Sequence, residues 1–182
     1  MARVLICYGT SEGQTETIAE RMGDVVDGEG HEVTLAHLKH PPDGLDPDTY
    51  DGIVVGASIH GGSHQRYVGS FVRDHLEILN RRPSAFFSVS LTAASDDPGE
   101  REPAEELLEE FLDETGWNPD GTLAVAGALK YGEYGLLKRF VMRRIAGRAS
   151  GDTDTARDYE YTDWDDVEAF AREFTTLLRA GA

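Results

Sequence analysis

The chain has 182 residues, enough for one domain with a full core, and a formal net charge of −17, with 34 Asp and Glu against 17 Lys and Arg. That balance excludes nucleic acid as a partner for most of the surface. Cys7 is the sole cysteine, which excludes an internal disulfide, and no apolar run approaches the length of a membrane span.

Residues 3–8 predict a strand, with Cys7 as a small core residue rather than a redox thiol. The run ends in Gly9-Thr10-Ser11-Glu12-Gly13-Gln14-Thr15 and opens directly into a helical pattern over 14–27, with Ile18, Ala19, Met22, Val25 and Val26 at helical spacing. Where a strand's carboxyl end meets a helix N-terminus, free N–H groups can hold a phosphate. Thr10, Ser11 and Thr15 add hydroxyl donors, and Gly13 lets the backbone come close. Residues 4–19 contain no Lys or Arg, so the phosphate would be held by neutral donors, as suits an enclosed monoester. A nucleoside-triphosphate loop needs a Lys that is absent here; a dinucleotide loop needs G-x-G-x-x-G, whereas the spacing is Gly9-x-x-x-Gly13 and no acid ends the second strand. What remains is similar to the T/S-x-x-G-x-T loop with which flavodoxins hold the phosphate of FMN. An ordinary N-capped helix after a strand is the plain alternative.

The alternation continues. Residues 32–37 predict a short strand, 40–50 a Pro/Gly/Asp loop, and Ile53–Ala57 a buried strand. A helix is expected over 65–80 and a strand over Ala85–Leu91. The next helix is expected over Pro103–Thr115, with Pro in its first turn, then a fifth strand over Thr122–Ala128. A closing helix over 164–179 has Asp163 as its N-cap. This order predicts an α/β fold: a flavodoxin-like, doubly wound, five-stranded parallel sheet of order 2-1-3-4-5, in a single domain spanning 1–182.

Between the fifth strand and the last helix lies a long insertion, about 130–160, longer than an ordinary loop. Residues 130–148 carry a net charge of +5, which leaves −22 on everything else. As a helix from about Tyr134 to Arg148, Leu137, Phe140, Val141 and Ile145 share a face, with Lys138, Arg139 and Arg143 around it. Such a segment could dock on its own acidic domain. It could equally meet an anionic, apolar partner: a membrane surface, a quinone-bearing bilayer or a carboxylated macrocycle.

With these segments laid out, the chain resembles the flavodoxin-like, quinone-dependent protoporphyrinogen IX dehydrogenases (menaquinone-dependent protoporphyrinogen oxidases) of bacteria over nearly its whole length. The resemblance rests on Gly13-Gln14-Thr15, Val55-Gly56-Ala57-Ser58-Ile59 and Pro83-Ser84-Ala85-Phe86-Phe87-Ser88-Val89. It continues in Ala126-Gly127-Ala128-Leu129-Lys130-Tyr131, Gly151-Asp152-Thr153-Asp154-Thr155, Tyr161-Thr162-Asp163-Trp164 and Phe170-Ala171-Arg172-Glu173. It implies a flavodoxin fold, FMN as cofactor, and a flavoprotein oxidoreductase of haem biosynthesis. Its reaction would remove hydrogen from protoporphyrinogen IX and pass the electrons to a quinone. It departs at His60 and Gly61, where the family has a basic and an aromatic residue.

The resulting expectations are specific. Thr10, Ser11, Glu12, Gly13, Gln14 and Thr15 would hold the phosphate. Ala57, Ser58, Ile59, His60, Gly61 and Gly62 would flank the flavin ring on one side, and Ser90, Leu91, Thr92 and Ala93 on the other. Lys130, Tyr131, Lys138, Arg139, Arg143 and Arg144 would meet substrate or membrane. Asp96, Asp97 and Glu100 would disfavour the reduced flavin anion. His60 and His64 sit where a proton donor would be useful, but no catalytic residue is assigned, and no metal-ligand spacing exists. A porphyrinogen and a quinone are the expected small-molecule partners; the oligomeric state is left open. Other readings are a flavodoxin-type electron carrier without substrate chemistry and a flavin-binding interaction module. Acidity with few lysines suits a halophilic setting. With no signal peptide, the expected location is cytoplasmic, peripheral on the inner face of the cell membrane through the insertion.

Overall fold

In the computed structural model, which describes residues 1–90, 98–129, 159–160 and 162–180, the first apolar run becomes β1 (Arg3–Gly9). It pairs in parallel with β2 (Glu32–His37) on one side and β3 (Gly52–His60) on the other. β3 pairs onward with β5 (Ser84–Ser90), and β5 with β6 (Gly121–Ala126), again in parallel. The order β2-β1-β3-β5-β6 is the expected doubly wound sheet, once β4 (Ser63–His64) is set aside as an antiparallel addition to β3. Helices α1 (Gln14–Gly28), α2 (Arg66–Asp74), α3 (Leu76–Arg81), α4 (Pro98–Thr115) and α5 (Trp164–Ala180) cover its faces.

The period of two along β1 sorts the core into two layers. Val4, Ile6 and Tyr8 pack with Ile18 and Met22 of α1 and with Phe170 and Phe174 of α5. Leu5 and Cys7 point the other way, into a layer with Val68, Val72, Leu79, Phe86 and Phe111. Burial on both faces explains the continuous apolar runs. Each large side chain wholly removed from water contributes about 1.5–3 kcal/mol relative to exposure.

Several elements differ from expectation, each for a local reason. The helix expected over 65–80 breaks at His75, whose backbone leaves the helical region at φ −117° and ψ 20°. There the ring Nδ1 joins the His75 backbone N–H, at 2.9 and 3.1 Å, on the Phe71 carbonyl that closes the last turn of α2. α4 begins at Pro98, five residues before Pro103, because Pro98 can take the first helical position equally well. The fifth parallel strand stops at Ala126. Gly127 N–H donates to Ser90 O at 3.0 Å, and the chain then turns into β7 (Ala128–Leu129), antiparallel to β8 (Tyr159–Glu160). Asp163 caps α5 as expected, its Oδ1 accepting from the N–H groups of Asp165 and Asp166 at 3.1 and 3.2 Å. The basic insertion lies outside the described residues, apart from the strands that flank it.

Candidate active site at the switch point

The carboxyl ends of β1, β3, β5 and β6 converge beside α1, where the strand order reverses. The chain leaves β1 through Thr10-Ser11-Glu12 and reaches α1 only by a left-handed turn at Gly13, with φ +87°. A side chain at that backbone conformation is strained, which is why glycine stands there. Thr10 closes the turn: its Oγ1 accepts from the Gly13 N–H at 2.8 Å, which leaves the hydroxyl proton to donate. α1's own bonding begins with Thr17 N–H to Gly13 O at 3.1 Å, so its first-turn amides have no carbonyl inside the helix to bond.

A cleft opens over this turn. It is lined by Thr10, Ser11, Glu12, Gln14 and Thr15 from the first loop, Ser58, Ile59 and His60 from β3, Val89 and Ser90 from β5, and Gly127 after β6. Five of these residues carry hydroxyls and none is Lys or Arg. Thr15 is wholly buried, and its Oγ1 has no hydrogen-bond partner among the described residues. A buried hydroxyl without a partner costs about 1–3 kcal/mol, so its position at a cleft calls for a polar ligand atom. The orphaned hydroxyl, the amide-bearing first turn and the lack of Lys and Arg among the described lining residues fit a flavin mononucleotide phosphate, the group expected from sequence.

Side chains outside the cleft hold its walls. Gln65, just ahead of α2, accepts from Ser58 N–H at 3.1 Å through Oε1 and donates through Nε2 to Ser58 Oγ and, at 3.3 Å, to Ser11 Oγ. The end of β3 is thereby tied to the first loop. On the far side, Gln14 Nε2 donates to Thr162 Oγ1 at 2.9 Å, and the Thr162 hydroxyl donates to Ala126 O at 2.8 Å. Tyr8 OH donates to Glu16 Oε1 at 2.6 Å and its ring stacks on His37 at 5.3 Å. Burial first, then the Glu16 carboxylate, pushes the Tyr8 hydroxyl above the ordinary phenol range, so it stays a donor.

Several expected positions fall elsewhere. Ala57 contributes no side chain to the cleft: its methyl is wholly buried in the layer that holds Val68 and Phe86. Gly61 and Gly62 are the exposed tip of the β3–β4 hairpin, with φ +61° and +82°, a tight two-residue turn rather than a wall of the cleft. Gly62 faces a separate groove with Ser63, His64, Arg66 and Arg73. His64 is not at the cleft either. It is buried, its Nε2 2.8 Å from Ser88 Oγ and its ring packed against Phe86 and Phe111. Burial lowers its pKa to about 4, so it is a neutral core imidazole near neutral pH. Leu91, Thr92, Ala93, Asp96 and Asp97, and the insertion residues Lys130, Tyr131, Lys138, Arg139, Arg143 and Arg144, lie outside the described residues.

Sequence reasoning missed Val89, Gly127, Gln65 and Thr162. Gly127 was hidden because the expected fifth strand ran through it to Ala128, whereas the strand ends at Ala126. Gln65 and Thr162 carry no local signal, since only folding brings them to the first loop. Among the described residues, no group of three or more His, Cys, Asp or Glu could hold a metal ion, and no helix is long and apolar enough to cross a membrane.

A family model described as a flavodoxin domain matches residues 5–156. The chain is 36% identical over 176 residues to the protoporphyrinogen IX dehydrogenase (quinone) of Escherichia coli strain K12, covering 96% of each chain. It is 31% identical over 187 residues to the protein of the same name from Leishmania major, covering 96% of this chain and 75% of that one. Among solved structures, oxidised flavodoxin 1 from Bacillus cereus aligns with a TM-score of 0.58 at 19% identity, over 96% of this chain and 97% of that one. A short-chain flavodoxin associated with a PDU bacterial microcompartment aligns with a TM-score of 0.59 at 16% identity over the whole of both chains. These structural likenesses speak for the fold. Strand order, cleft position and near full-length relatives agree, and the chain belongs to the flavodoxin-domain family, within the group of quinone-dependent protoporphyrinogen IX dehydrogenases.

Proposed function

We propose that this chain is an FMN-dependent dehydrogenase that removes hydrogen from protoporphyrinogen IX and delivers the electrons to a quinone. The cofactor half of the reading is carried by one observation: the buried Thr15 hydroxyl, partnerless among the described residues, at a cleft whose described lining holds five hydroxyl-bearing residues and no Lys or Arg. The reaction half is supported by relatives of that name at 36% identity over nearly the full length of both chains.

When bound, FMN would supply the redox couple. Thr10, Ser11 and Thr15, with the first-turn amides of α1, would hold the phosphate. Ser58 to His60 and Ser90 would be the residues beside the ring. Gln65 keeps the β3 wall and the first loop in register, which limits the motion of any group seated between them. Among the described residues lining the cleft, Glu12 and His60 carry ionisable side chains; of the two, His60 at the end of β3 would be the candidate to exchange a proton with a bound ring. The basic, apolar sequence around Lys138, Arg139, Arg143 and Arg144 supports peripheral contact with an anionic membrane, where a quinone resides.

The reaction is tested with purified protein, FMN, protoporphyrinogen IX and menadione. Porphyrin fluorescence should rise faster than autoxidation, and only with both FMN and quinone present. Flavin that stays oxidised in the presence of porphyrinogen, yet is reduced by a ferredoxin reductase, would replace this reading with an electron carrier. Co-sedimentation with anionic liposomes tests the membrane contact; equal binding by wild type and Arg143→Glu/Arg144→Glu removes it.

A further inference from the structure

Gln14 is the first residue of α1 and lines the cleft, and its side chain is held by a residue 148 positions later in the chain. The Thr162 hydroxyl has one proton, and it goes to Ala126 O at 2.8 Å. Towards Gln14, 2.9 Å away, that hydroxyl can only accept, so the amide end of Gln14 must be its NH₂. Ala126 ends β6; the next residue, Gly127, lines the cleft and donates through its N–H to Ser90 O. One hydroxyl therefore joins the first turn of the phosphate loop's helix to the ends of β6 and, through Gly127, β5. Thr162 itself does not line the cleft.

We propose that Thr162 is a positioning residue for the phosphate site: it sets the placement of Gln14, and with it the first turn of α1, against the far wall of the cleft. The inference rests on the flavin reading above and assigns Thr162 a share of phosphate affinity that no contact with the ligand supplies. Only an atom that donates and accepts at once can occupy this point. Serine retains both functions; valine, of nearly the same shape, retains neither and leaves Ala126 O and the Gln14 amide facing a methyl group. The effect should fall on the phosphate because Gln14 belongs to the loop that would receive it, whereas β5 and Gly127 remain joined by the Gly127 N–H to Ser90 O bond, which Thr162 does not make.

The test is binding of FMN and of riboflavin, which lacks the phosphate, to apoprotein of wild type, Thr162→Val and Thr162→Ser, followed by flavin fluorescence. Thr162→Val should weaken FMN about 10-fold, the equivalent of about one hydrogen bond, and leave riboflavin affinity within about 2-fold. Thr162→Ser should retain wild-type FMN affinity. Should Thr162→Val fold poorly, Thr162→Ala removes the same hydroxyl with a smaller side chain and should give the same selective loss. Where Thr162→Val folds, Gln14→Leu removes the other partner of the bond, and in a double-mutant cycle the two changes should be less than additive. Equal loss of FMN and riboflavin, or an unchanged FMN affinity in Thr162→Val, overturns the proposal. Wild-type protein that takes up no FMN at all overturns the flavin reading instead.

Discussion

His64 Nε2 and Ser88 Oγ lie 2.8 Å apart inside the sheet's α2/α4 face, with the imidazole packed against the stacked Phe86 and Phe111 rings. Burial holds the His64 pKa near 4, against 6.5 for a free imidazole. The unfolded chain therefore binds a proton between those values that the folded chain refuses. Stability from this group is fully present above about pH 6.5 and is lost as pH falls towards 4. Between pH 7 and pH 5 the loss should be about 2 kcal/mol. Urea midpoints of wild type and His64→Gln at both values check it: the variant, which can still bond Ser88 without titrating, should lose distinctly less. Parallel pH profiles would show that His64 does not drive the acid sensitivity.

Thr15 presents the opposite case, in which an isolated hydroxyl weakens the fold at the place a ligand is expected. Thr15→Val removes the buried Oγ1, which has no partner among the described residues, at nearly constant volume. The apoprotein should become more stable by about 1 kcal/mol, while FMN affinity falls about 10-fold or more. Thermal unfolding of the apoprotein and a flavin titration read the two effects separately. A variant that loses stability while binding FMN as before would mean that the hydroxyl serves the fold and not the ligand.

Gln65 directs its amide to the cleft wall rather than to its own helix. Gln65→Ala leaves the Ser58 N–H without its acceptor and frees Ser11, at a cost of about 1–3 kcal/mol. FMN affinity should fall about 5- to 20-fold, with faster dissociation rather than slower association, because the Gln65 amide is what ties the first loop to β3 around the bound group. Stopped-flow binding separates the two rates. Association slowed with dissociation unchanged would place Gln65 outside the retention of the cofactor.

The strand order and the first loop could be read from sequence because their signals are local. Val4 to Cys7, Ile53 to Ala57 and Ala85 to Val89 are apolar runs that only a sheet covered on both faces accommodates, and Gly13 marks its own backbone conformation. What escaped is what folding assembles. Thr162 meets Gln14 across 148 residues, Gln65 meets Ser11 across 54, and β7 and β8 are two-residue strands whose pairing has no periodicity to detect. His64 misled for a related reason. Its neighbour His60 does line the cleft, but the hairpin at Gly61-Gly62 reverses the chain between them and carries His64 into the α2/α4 layer. Paired glycines point to a turn; they do not say on which side of it each histidine ends.

That hairpin supplies a control for the phosphate turn. Gly13 and Gly62 both require positive φ, +87° and +82°, so alanine at either should cost about 1–2 kcal/mol of stability. Only Gly13 belongs to the loop that shapes the cleft; Gly62 sits at the exposed tip beside the other groove. Gly13→Ala should therefore lose stability and FMN affinity together. Gly13→Asn, better able to adopt the left-handed turn, should lose less of each. Gly62→Ala should lose stability while binding FMN within about 2-fold of wild type, since backbone strain confined to the tip leaves Thr10, Thr15 and α1's first turn in place. Chemical denaturation paired with flavin titration of the three variants decides the matter. FMN affinity impaired as much by Gly62→Ala as by Gly13→Ala would return the hairpin tip to the cofactor site.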